Sequence, residues 1–163
     1  SVALYAGLSK LRVPPGALHV IGALAFSQEL LLFHLHSADH VGAEGHYHWL
    51  LQLIVVVSLS ATLLEVPLPK SFLVATVRSA SLVFQGAWFV HMGFMLWIPA
   101  FIPKGCHMVH TEGHDVVKCA TQEATMRAKA LANLQFNWYL AIILVSTVIL
   151  YARTVGIYAD KPA

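Results

Sequence analysis

Charge is what this chain has least of. Lys, Arg, Asp and Glu together make up 11% of its 163 residues, against 58% hydrophobic residues. An ordinary soluble domain carries about a quarter charged residues, so a water-exposed globule is excluded and an integral membrane protein is expected. The Lys and Arg residues are scattered along the chain, so no basic stripe forms for phosphates and no nucleic-acid partner is expected. Cysteine is scarce: Cys106 and Cys119 share one polar segment, and their state depends on the membrane face that segment occupies. Other chemistries lack their signatures. There is no G-x-S-x-G element, Walker loop or Rossmann glycine pattern, and no internal repeat or low-complexity stretch. The residues after Ser1 lack a basic segment followed by a continuous apolar one, so no cleavable signal peptide is expected. The chain reads as a processed protein or part of a longer one.

What it has in abundance is apolar runs. Four are present, at about residues 16–36, 48–66, 71–98 and 134–155. Proline punctuates them: Pro14-Pro15 before the first, Pro67 and Pro69 after the second, Pro99 and Pro103 after the third. Proline opens or ends a helix but is not accommodated in its interior. About 20 residues suffice to cross a hydrocarbon core, so each run can span. Residues 99–127 read as one long polar loop, with Ala120 to Asn133 a short helix leading into the fourth span. The expected fold class is an all-α membrane protein. It is a bundle of at least four transmembrane helices, up-down in order, forming a single membrane domain over residues 1–163. Its expected partners are the lipid bilayer and other membrane subunits.

An up-down order would put segments 37–47 and 99–127 on one side, and the turn at 67–70 and both termini on the other. The histidines then segregate. His34, His36, His40, His46, His48, His107, His110 and His114 gather at the first side, His91 lies about 10 Å inside the third span, and only His19 sits towards the opposite face. A His-rich face of this kind points to metal binding or proton handling.

Depth narrows the set. Glu29 lies seven residues before His36, and a carboxylate inside a span is costly unless it has a function and a partner. Glu29, His36 and His40 share a helical face, as do His48 and Gln52. The expected metal ligands are His36, His40, His48 and His91 with Glu29 or Asp39 as carboxylate; His34, His107 and His110 are secondary candidates. Copper or iron fits such donors, with zinc next. Plainer readings stay open: His91 as a hydrogen-bonding group inside the bundle, Glu29 as a protonated link between helices, the His-rich segment as a hydrated interface.

Lys10, Arg12, Lys70, Arg153 and Lys161 mark one side, and segment 37–47 has no Lys or Arg. This favours a noncytosolic histidine face, although Lys104, Lys118, Arg127 and Lys129 oppose it from a longer segment. On an oxidising face, Cys106 and Cys119 are expected to form a disulfide.

Residues 28–52, QELLLFHLHSADHVGAEGHYHWLLQ, resemble the central signature of the transmembrane protein 45 family, particularly its plant-type members. The likeness extends from the first span through the fourth. It implies about seven spans, so these four would belong to a longer protein or to a shortened relative. It also implies endomembrane or plasma-membrane placement, and no defined activity. His46 departs from the family, where glutamine is frequent. Three classes of function follow from the residues: a copper- or non-haem-iron-dependent membrane oxidoreductase acting on a lipid-like substrate, a metal or proton carrier, and a structural or trafficking protein with pH-sensing histidines.

Overall fold

The computed structural model describes residues 14, 16–39, 42–111 and 114–159. Four helices carry most of them: α1 (Ala17–Asp39), α2 (Ala43–Glu65), α3 (Phe72–Trp97) and α4 (Gln122–Ala159). All four are long and apolar enough to cross a membrane. Their outward residues agree with apolar surroundings: Leu18 and Leu73 are each 71% exposed, Trp97 67% and Val148 65%. Exposed apolar side chains in water occur singly, not as whole helix faces. The hydroxyls follow suit. Ser27, Ser60, Thr76, Ser79, Thr147 and Thr154 each donate to the carbonyl four residues back, which satisfies them inside their own helix.

Local chemistry sets the boundaries. Gly42, at φ 105°, turns the chain into α2 in a conformation that only glycine adopts cheaply. α2 ends where Pro67 follows Val66, and α3 begins under the Ser71 hydroxyl, which accepts from Val74 N–H at 3.4 Å. The Thr121 hydroxyl caps α4 by accepting from Ala124 N–H at 3.1 Å.

α2 is the centre of the bundle. Of its most apolar window 56% is buried, against 6% for α1, 22% for α3 and none for α4. Tyr47, Leu50, Leu51, Ile54 and Val55 of α2 meet Phe84, Trp88, Met92 and Met95 of α3 in one core. Phe136 and Tyr139 of α4 close it against Trp88, at ring-centroid distances of 5.1 and 6.1 Å.

Segment 99–127 is not a loop. It holds a short 3-10 turn (Pro99–Phe101), an antiparallel hairpin of β1 (Cys106–Thr111) and β2 (His114–Cys119), and the first turns of α4. The all-α expectation is corrected to that extent. The hairpin forms because Val116 and Val117 are buried, with Val117 inside the main core. At its base Cys106 pairs with Cys119, and the two form a disulfide. Gly105, at φ 83°, lies so close to α4 that a Cβ there would meet Ala124 Cβ at 2.9 Å. The short helix expected at Ala120–Asn133 is the start of α4, continuous with the fourth span, and α2 starts at Ala43, five residues before the expected 48.

Two six-residue strands are marginal alone, and the disulfide closes a separation of 13 residues. Replacing both cysteines by serine should cost about 3 kcal/mol, the chain-entropy value for a loop of this size. Denaturant unfolding of detergent-solubilised protein checks this, and a loss under about 0.5 kcal/mol would mean that valine burial alone holds the hairpin.

Candidate metal centre

The turn through Gly42 brings the last turns of α1 against the first turns of α2. Glu44 and His48 are four residues apart on α2 and so share a face; both are buried, while His36 of α1 is exposed. One ligand atom from each of His36, Glu44 and His48 lies within 4.8 Å of the others. The His36 and His48 rings meet edge to face at 4.9 Å, and Phe33 stacks on His48 at 6.1 Å with 22° between planes. Phe33 itself rests on Phe89 of α3 at 5.4 Å. The cluster thus has one apolar wall and one open side, at His36.

Glu44 is held from outside the helices. Its Oε2 accepts the backbone N–H of Val117 at 2.9 Å, so the hairpin fixes the carboxylate. Oriented ligands of this sort are the rule in metal sites, where an outer hydrogen bond sets the direction of the inner donor. Tetrahedral ligation at about 2.1 Å sets donor atoms about 3.4 Å apart. The 4.8 Å limit is wider than that spacing, so the three donors would draw together on binding.

Of the expected ligands, His36 and His48 come together here. His40 lies outside the described residues, and so does the side chain of Asp39, although Asp39 closes α1. Glu29 is elsewhere: its Oε1 accepts from Gln85 Nε2 of α3 at 2.7 Å. His91 sits among rings, 5.1 Å from Trp88, 5.1 Å from Tyr139 and 6.2 Å from Tyr47, and its buried Nε2 has no hydrogen-bond partner among the described residues. His34 Nδ1 lies 3.3 Å from Gln52 Oε1. His107 and His110 are exposed on β1, where His110 Nδ1 meets Asp115 at 2.9 Å. His46, the position that departs from the resembled family, lies 2.7 Å from Asn133 of α4. His19 joins Glu65 and Arg78, with Arg78 Nε 2.6 Å from Glu65 Oε2.

Glu44 is the residue that sequence reasoning missed. Taking 37–47 as a loop removed the helical register in which Glu44 and His48 coincide. The available signal was Gly42-Ala43-Glu44, a glycine followed by a first-turn acid, which marks a helix start.

The family described as "Family of unknown function (DUF716)" matches residues 15–152, most of the chain. The chain belongs to that family. DUF716 includes the transmembrane-protein-45-like proteins, so the resemblance holds at family level. No solved structure matches this DUF716 chain.

Glu44→Ala deprives the buried Val117 N–H of its acceptor, which should destabilise the packed hairpin by about 1–3 kcal/mol. Hydrogen exchange of the amides in 106–119 should quicken accordingly. Unchanged exchange would show that the Glu44 contact contributes nothing to docking the hairpin.

Proposed function

We propose that this DUF716 protein is an integral membrane protein that binds a first-row transition metal through His36, Glu44 and His48. The observation that carries the reading is the convergence of three donors from two helices within 4.8 Å, with the carboxylate aimed by the hairpin. Two imidazoles and one carboxylate leave coordination positions open. That donor set suits zinc in a hydrolytic centre or ferrous iron in a non-haem oxygenase, and it moves copper behind both. An open position beside helices that face lipid supports chemistry on a lipid-like substrate, with non-haem iron oxidation the preferred case.

The four helices run up and down, and the histidines form one face. Contacts between the start of α2 and the far segment support this: Glu44 with Val117, His46 with Asn133, and Tyr47 Oη donating to Gln135 at 3.1 Å. That face is noncytosolic, on an endomembrane or the plasma membrane. The disulfide at Cys106–Cys119 supports an oxidising compartment.

Purified protein should carry about one metal ion per chain by elemental analysis, as one three-ligand centre holds one ion. His36→Ala and His48→Ala should each retain under about a tenth of it, since even losing an outer-shell partner costs about 10–100-fold. Full occupancy in both folded variants, or metal-free wild type that fails to take up zinc or ferrous iron, would leave Glu44 as a hairpin anchor and no more.

A further inference from the structure

The carboxylate of the candidate centre is aimed by a strand, and that strand is fixed by a covalent bond. Glu44 Oε2 accepts from Val117 N–H at 2.9 Å. Val117 lies on β2 two residues before Cys119, which is half-buried and bonded to half-buried Cys106. Two residues of strand span about 7 Å, so the disulfide sits close to the contact that orients Glu44.

The register of the hairpin decides where Val117 N–H points. In an antiparallel pair, backbone N–H groups point alternately at the partner strand and away from it. Ala120 N–H donates to Gly105 O at 2.9 Å, so Gly105–Ala120 and His107–Lys118 belong to the hydrogen-bonded set. Cys106–Cys119 and Met108–Val117 belong to the other set, whose N–H groups face away from the partner strand. That leaves the Val117 N–H for α2. A slip of β2 by one residue would turn this N–H into the ladder, away from Glu44, and carry the valine side chain out of the core. Register rests on the ladder, on the burial of Val117 and on the disulfide. Of the three, the disulfide alone is made or broken by the redox state of the surroundings.

We propose that oxidation of Cys106 and Cys119 completes the metal centre. The disulfide holds Val117 N–H against Glu44 and so raises affinity at His36, Glu44 and His48, and metal loading follows disulfide formation. This rests on the metal reading of those three residues. The oxidant is a disulfide of the compartment: one cysteine thiolate attacks it, and the second cysteine displaces the resulting mixed disulfide. The Cys106–Cys119 bond forms, and the oxidant leaves as two thiols carrying the two protons. Coupling of this kind is reciprocal, so metal at the helix ends also favours the register in which the cysteines meet.

The test measures zinc affinity of the full chain in detergent, by competition with a chelator. Wild type with its disulfide intact is compared with Cys106→Ser/Cys119→Ser, and with wild type that has been reduced, alkylated at both cysteines and freed of reagent. Both should bind zinc about tenfold more weakly, the lower end of the loss for removing an outer hydrogen-bond partner. Glu44→Asp keeps a carboxylate but is one methylene too short for the Val117 contact. In that background, loss of the disulfide should change affinity by less than about twofold, as for independent sites. Equal affinity with and without the disulfide, or the same tenfold loss in Glu44→Asp, would overturn the coupling and leave the metal reading standing. No zinc uptake by the oxidised wild type would overturn both. If the serine variant does not fold, the alkylated protein decides.

Discussion

The apolar surroundings for which these helices are built offer no hydrogen-bond partners, so each polar group between the two ends of the bundle must find one within it. That constraint places α2 at the centre. It supplies Ser58 to the seam with α3, Gln52 to His34 of α1, and Glu65 to Arg78 and His19. The outer helices satisfy most of their hydroxyls against their own backbones and turn hydrocarbon outwards. α1 is thus held by a few polar contacts to α2 and α3 and by the packing of Phe26, Leu30 and Phe33 on the core.

Much of the helical frame is legible in the sequence because proline and glycine punctuate it. Pro67, Pro69 and Pro99 end α2 and α3 within a residue or two of where they are expected. The hairpin is not legible in the same way. Its signals are a valine pair, one of which bonds through its backbone N–H to Glu44, 73 residues away, and two cysteines whose pairing follows in sequence only from the compartment their segment is expected to face, although they are also partners in the strand register. Composition counted that segment as polar and missed that Val117 is inward.

The candidate site shows the same division. His36 and His48 could be grouped because helix ends and spacing put them near one another. Glu44 could not, because a loop assignment hid its register. Glu29 and His91 look alike in sequence, single polar residues at similar depth, yet one accepts from the Gln85 amide and the other sits in an aromatic box. Rotation about a helix axis, which decides such matters, is set by partners that only the packed bundle reveals. The two polar clusters of the bundle also differ in chemistry, imidazole-rich at the helix ends and built from a carboxylate, an amide and hydroxyls in the seam.

α4 has neither proline nor glycine from Gln122 to Val155, and a helix without such residues has no ready hinge. At 38 residues it is about 57 Å long. One end is seated under the hairpin, where Gly105 abuts Ala124 and Arg127 Nη2 donates to Lys104 O at 2.9 Å. Towards the other end Tyr151 rests on Phe72 at 5.3 Å. Between the two ends the Phe84–Phe136 contact, at 4.8 Å, holds the rod against the middle of α3. The hairpin and the start of α3 are thereby tied together through one unbroken helix, at opposite ends of the bundle.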